Sequence, residues 1–204
     1  MALGHFDGPP VGPVQDHRPL RMIEQPLFTP YMFSSTENVY NVLRRVHNRY
    51  RKQKNPLNAL TLTRNQYNTY FKFTFVRNPW SRAYSWYRGA LRDELERKKL
   101  KIEGQPSLNE FLRIHAGRGA LRPQFYWMQN FRRQFPFDYI GRFESLNEDF
   151  QEVCRRAHIP EVTLEHTNKG SSEDYREHYD DASRDLIASS HKEEIALFDF
   201  TFES

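Results

Sequence analysis

At 204 residues the chain is long enough for one domain with its own core and short for two. Hydrophobic residues make up 38% and aromatics 15%, which excludes a disordered chain although 27% of positions are charged. The formal net charge of +4 suits a polyanionic partner without choosing among nucleotide, sulfated sugar and nucleic acid, and the single cysteine, Cys154, excludes a disulfide framework or a multi-cysteine zinc site within one chain.

Residues 1–29 are rich in proline and show little periodicity, so a loosely structured arm is expected there, with a first strand around residues 20–28 and the domain proper over residues 30–204. No stretch approaches the roughly 20 apolar residues of a membrane span, and the N-terminus lacks a charged-then-apolar leader pattern, so the expected location is cytoplasmic. Val39, Val42, Leu43, Val46 and Tyr50 recur at helical spacing behind Ser34-Ser35-Thr36, which predicts a helix over residues 35–52. YFKFTFV, residues 70–76, alternates strand formers and stops at Asn78-Pro79, which predicts a buried strand.

A long helix is then predicted over residues 80–101, followed by shorter ones over 108–115, 148–157 and 182–197, with a second strand at residues 137–141. The basic run Arg97-Lys98-Lys99-Leu100-Lys101 follows Asp93, Glu94 and Glu96 and reads as a solvated helix face. Strands separated by helices predict an α/β fold, a single parallel sheet flanked by helices.

Residues 77–87, RNPWSRAYSWY, sit where the first of these strands meets the long helix. At the carboxyl end of a parallel strand, a helix N-terminus offers amide N–H groups and a positive dipole end to an anion. Arg77 brings a planar, permanently charged fork and Ser85 a small hydroxyl one to two turns later; together they can grip one phosphate. The bland alternative is an arginine at a strand end and a serine on a helix surface.

The string FVRNPWSRAYSWY, residues 75–87, resembles the 3′-phosphate-binding motif of the carbohydrate-type sulfotransferases, particularly the short bacterial members that read F-V-R-N-P-W-x-R-x-x-S-x-Y. Further segments agree in order and spacing: Leu121-Arg122-Pro123-Gln124 with Trp127, FDYIGRFESLNEDF at residues 137–150, and His166-Thr167-Asn168-Lys169 with Asp174-Tyr175-Arg176-Glu177. The resemblance runs from about residue 30 to the C-terminus. It implies a P-loop-like sulfotransferase fold and the co-substrate 3′-phosphoadenosine 5′-phosphosulfate, whose 3′-phosphate would be held by Arg77 and Ser85. It also implies a hydroxyl-bearing, carbohydrate-type acceptor and no metal. Arg142 and Lys169 fall in family segments that approach co-substrate or acceptor, and each is equally an ordinary surface ion-pair residue.

Two departures stand out. Family members wrap the 5′-phosphosulfate with a loop P-K-x-[AG]-[GSC]-[ST]-[ST]; the matching place here is residues 30–36, where Ser34, Ser35 and Thr36 survive but Tyr31 holds the lysine position and Phe33 a position usually small. A neutral phenol supplies no charge to the departing phosphate oxygen. Near residues 57–63, where similar proteins often carry a histidine, there is none; His47, His115, His166 and several glutamates remain as candidate bases with none singled out, and Arg44, Arg45 and Lys54 as replacement cations. Two functions are therefore expected: an active sulfotransferase, or a sulfotransferase-fold protein that binds the nucleotide with impaired chemistry. A P-loop kinase is disfavoured by the absent G-x-x-x-x-G-K-[ST], and a nucleic-acid binder by aromatics that fall in predicted strands and helix cores.

Overall fold

The structure is a computed structural model that describes residues 19–23, 29–50, 62–164 and 173–204. In chain order the elements are helix α1 (Leu20–Ile23), a 3-10 turn (Pro30–Phe33), α2 (Thr36–Tyr50), α3 (Arg64–Thr69), strand β1 (Phe73–Val76), α4 (Pro79–Arg92), α5 (Glu94–Leu100) and α6 (Leu108–His115). After a 3-10 turn (Gly119–Leu121) come α7 (Phe125–Met128), β2 (Tyr139–Arg142), α8 (Leu146–Arg156), a 3-10 turn (Tyr175–His178), α9 (Asp181–Ser190) and α10 (Lys192–Phe198). Tyr139 N donates to Lys72 O at 3.2 Å and Phe143 N to Val76 O at 2.8 Å. The register advances four residues on both strands in the same direction, so β1 and β2 form a small parallel sheet, as the α/β reading requires. Among the described residues, no helix is long and apolar enough to cross a membrane.

Contacts sort the chain into two units. The first comprises residues 1–74, 125–140 and 147–164, and its core includes Met22, Met32, Tyr126, Met128, Phe131, Phe150, Val153 and Cys154. The second comprises residues 75–124, 141–146 and 165–204 and packs α4 against α6 and α9 around Val76, Trp80, Ala83, Phe111, Leu112, Leu121 and Ile187. Burying each larger side chain contributes about 1.5–3 kcal/mol, which fixes α4 and the turn before it.

Three expectations are corrected. Residues 20–23, read as the start of a strand, form one helical turn: Met22 N donates to Pro19 O at 2.8 Å, and the buried Arg21 donates to Asn38 Oδ1 and Tyr126 O, both at 3.0 Å. Residues 24–28 lie outside the described residues. The helix expected over 80–101 is two helices, because Asp93 leaves helical backbone and its carboxylate accepts the amides of Leu95 and Glu96, starting α5. The helix expected over 182–197 likewise breaks at His191. The basic run on α5 is solvated as expected, with Lys98 paired to Glu94 at 2.7 Å and Lys99 to Glu96 at 2.9 Å.

Candidate functional site

The turn after β1 is held from three directions within the second unit. Gln124 brackets Arg77: its Oε1 accepts Arg77 N at 2.9 Å and its Nε2 donates to Arg77 O at 2.9 Å. The next amide, Asn78 N, donates to Glu144 Oε1 at 2.7 Å, and the Asn78 side-chain nitrogen donates to Thr201 O and Ser204 O, both at 2.8 Å. Asn78 is fully buried and caps α4 with Pro79 in the first turn.

That cap changes the expected anion chemistry. Pro79 has no amide hydrogen, Trp80 N and Ser81 N donate to Asn78 Oδ1 at 3.0 and 3.3 Å, and Arg82 N donates to Asn78 O at 2.8 Å. The helix start has no amide left to offer an anion, so any anion chemistry at this turn falls to side chains.

They are placed to do so. Arg77, Ser81, Ser85, Arg88 and Arg92 follow one another at three- and four-residue spacing, and all line a cavity of about 90 Å³ whose wall also includes Tyr84, Glu173 and Tyr175. The structure thus brings Arg77 and Ser85 to one cavity. Arg77 is half-buried, its Nε donates to Ser81 Oγ at 3.1 Å, and its guanidinium lies 4.4 Å from the centre of the Phe143 ring. Burial pulls its pKa below the usual arginine range and Glu144 opposes this, leaving a charged group that is short of water and favours an anion. The Ser85 hydroxyl is exposed at the cavity.

Arg88, Arg92 and Glu173 were not singled out from the sequence. The signal for the two arginines was the spacing of Ser81, Ser85, Arg88 and Arg92 on one helix face; Glu173 carried none. The Glu173 carboxylate accepts from Tyr84 Oη at 2.9 Å and lies 3.4 Å from Arg88 Nη1 and 3.7 Å from His178 Nε2. An anion entering this cavity competes with it for Arg88.

Ser34, Ser35 and Thr36 belong to the other unit, at the start of α2, and are exposed. Ser34 Oγ donates to Tyr31 O at 2.8 Å, and Ser35 Oγ accepts Asn38 N at 3.1 Å as the helix cap. Tyr31 and Phe33 point to solvent, at 48% and 53% exposure, and Asn38 Nδ2 ties Tyr31 O (2.7 Å) to Phe131 O (3.0 Å). The guanidinium over the Tyr31 ring, at 5.2 Å, is that of Arg132, none of the three cations suggested by the sequence. Arg45 donates to Arg21 O at 3.1 Å, Arg44 is half-buried on α2, and Lys54 lies outside the described residues.

Among the remaining candidates, Arg142 donates to Phe198 O and lies 5.0 Å from the Phe200 ring centre, away from the α4 cavity. Lys169 and His166 lie outside the described residues. His47 is exposed on α2, and His115 packs against Phe111 at 4.5 Å, where burial lowers its pKa.

An uncharacterized protein of Archaeoglobus fulgidus is 29% identical over 109 residues, 52% of this chain and 83% of that protein. No solved structure matches. A family model described as the sulfotransferase family matches residues 21–201, a span that contains the Arg77 turn and both strands, and by that match the chain belongs to the sulfotransferase family.

Proposed function

We propose that the protein transfers a sulfuryl group from 3′-phosphoadenosine 5′-phosphosulfate to a hydroxyl of a carbohydrate or other small acceptor. The observation that carries this reading is the convergence of Arg77, Ser85, Arg88 and Arg92 on one cavity. Arg77 offers two parallel N–H donors to the 3′-phosphate, and Ser85 adds a hydroxyl donor from the helix that Arg77 precedes. Gln124 and Asn78 keep the Arg77 backbone from moving when the anion arrives. The nucleotide supplies an activated sulfuryl group on a phosphate leaving group: the acceptor oxygen bonds to sulfur, the bond to the phosphate oxygen breaks with its electron pair, and the hydroxyl proton goes to water. On this reading residues 30–204 are the catalytic domain behind an arm of residues 1–29, working in the cytoplasm.

A second reading, a nucleotide-binding protein with impaired chemistry, is favoured by a specific observation at residues 30–36. Tyr31 stands at the lysine position, the Ser34 hydroxyl donates to Tyr31 O, and the Ser35 hydroxyl accepts the amide of Asn38 in α2. Radiolabelled sulfuryl transfer to a panel of glycans separates the two. Turnover that disappears in Arg77→Ala supports the transferase; adenosine 3′,5′-bisphosphate binding without transfer to any acceptor supports the second reading, and no binding at all sinks both.

A further inference from the structure

Behind the Arg77 turn, within the second unit, Glu194 on α10 places a carboxylate where solvent does not reach. A buried carboxylate is costly unless its oxygens are satisfied. Its Oε2 accepts the Gln124 backbone amide, and its Oε1 accepts Gln124 Nε2 at 3.3 Å. Gln124 in turn accepts Arg77 N and donates to Arg77 O, both at 2.9 Å. The segment that carries Gln124 is pinned from α4 as well, where Arg82 donates to Ala120 O and, at 3.0 Å, to Arg122 O.

The direction of the Gln124 amide follows from these partners. Arg77 presents one donor, its N–H, and one acceptor, its C=O, so the Gln124 oxygen faces the first and the Gln124 nitrogen the second. That nitrogen turns its other hydrogen toward Glu194 Oε1, where only an acceptor can receive it. Glu194 also accepts the Gln124 backbone amide, so both of its oxygens serve as acceptors at once. The ionised carboxylate meets this demand. A protonated one carries an O–H on one of those oxygens and sets a hydrogen against the Gln124 backbone amide or against Nε2.

We infer that Glu194 is a positioning residue for the anion site: its ionised carboxylate fixes the Gln124 amide, Gln124 fixes the Arg77 backbone, and anion binding at Arg77 weakens when Glu194 takes a proton from solvent. This deepens the proposed function and rests on its assignment of Arg77 to the 3′-phosphate. The Arg82 guanidinium faces the carboxylate from α4 and favours its charge, but burial is the larger effect and raises the Glu194 pKa above 4.5. Arg77 lies on the other side of the same guanidinium, near enough for the two positive charges to oppose each other. His191, three residues before Glu194, is buried beside Arg82 with its pKa lowered to about 4, so it is already neutral where Glu194 titrates.

Calorimetry on the full chain tests this with adenosine 3′,5′-bisphosphate and adenosine 5′-monophosphate, which differ only in the group that Arg77 would hold. Glu194→Gln imitates the protonated state, with one acceptor and one donor. At neutral pH it is expected to weaken the bisphosphate by about tenfold, the loss of one charge-assisted hydrogen bond, and to leave the 5′-monophosphate little changed. A phosphate monoester itself titrates near pH 6, so parent and variant are compared with each other at every pH. The gap between them should close as pH falls through the Glu194 titration, because the parent then gains the proton that the variant imitates. In the parent alone, the Arg77 and Gln124 amide resonances should shift with one shared midpoint in an NMR titration, a readout that needs no variant to fold. The inference is overturned if Glu194→Gln keeps the parent's preference for the bisphosphate, if it weakens both nucleotides equally, or if the two resonances do not move together. Failure of the proposed function looks different: the parent then binds neither nucleotide, and the shared titration of the two amides alone decides whether Glu194 positions Arg77.

Discussion

Gln124 satisfies both backbone groups of Arg77 at 2.9 Å while its own amide donates to Glu194, a carboxylate with no solvent exposure. The most informative arginine in the sequence is therefore oriented by a residue 47 positions later, itself anchored on α10. Replacing Gln124 by Leu leaves the Arg77 N–H and C=O without these partners and removes the 3.3 Å side-chain donor to Glu194 Oε1, while the backbone amide at position 124 still donates to that carboxylate. Each unsatisfied buried group costs about 1–3 kcal/mol, and at about 2–4 °C per kcal/mol for a chain of this size the melting temperature should fall by several degrees. Binding of adenosine 3′,5′-bisphosphate should weaken with it. A Gln124→Leu protein that melts and binds like the parent would show that the clamp is incidental.

Asn78 performs two separable tasks, capping α4 through Oδ1 and tying residues 201 and 204 through Nδ2. Serine is a good cap but too short to reach Thr201 O. Stability by thermal unfolding should therefore fall in the order Asn78, Asn78→Ser, Asn78→Ala, with the Ser-to-Ala step about 0.5–2 kcal/mol. Limited proteolysis should cut the C-terminal residues faster in both variants. Equal stability of the two variants would deny the cap its share.

What was legible in the sequence is what short-range chemistry decides. The strand ending at Val76, the Pro79 helix start and the Arg77–Ser85 spacing all follow from residues within three turns of one another, and the structure brings those two side chains to one cavity. The breaks at Asp93 and His191 were hidden because apolar periodicity continues across them, while one carboxylate accepting two amides suffices to restart a helix at Asp93. Gln124 with Arg77, Glu194 with Gln124, and Arg132 over Tyr31 are 47, 70 and 101 positions apart. No local pattern encodes such pairs. The amides expected to face an anion are engaged for a local reason: the Asn78 side chain at the start of an Asn-Pro helix accepts them.

His191 carries a pH dependence of known sign. It is 1% exposed, and burial, assisted by the charge of Arg82, lowers its pKa from 6.5 to about 4. Between those values the unfolded chain binds a proton that the folded chain does not, so stability rises with pH from about 4 to about 6.5 and gains nothing further from this group above that. The contribution is on the order of 3 kcal/mol. Glu194 acts with the opposite sign, since burial raises its pKa above 4.5 and stability falls as pH rises through that window. Denaturant unfolding from pH 4 to 7 should therefore show a shallower rise in His191→Gln and a steeper one in Glu194→Gln. Identical slopes in all three proteins would contradict the burial argument for both groups.

Glu173 sets the last test, because it places a negative charge in the wall of a cavity that Arg77, Arg88 and Arg92 also line. Its carboxylate is 3.4 Å from Arg88 and half-exposed, so the pair is worth about 0.2–1 kcal/mol. Glu173→Gln keeps an oxygen for the Tyr84 hydroxyl, leaves the Tyr84–His178 stack intact and removes the competing charge. Affinity for adenosine 3′,5′-bisphosphate should rise by about two- to fivefold at low salt. The gain should shrink as ionic strength rises, because the removed repulsion is screened. If binding weakens in Glu173→Gln, the carboxylate is holding Arg88 in its working position and the cavity's anion site depends on that pair.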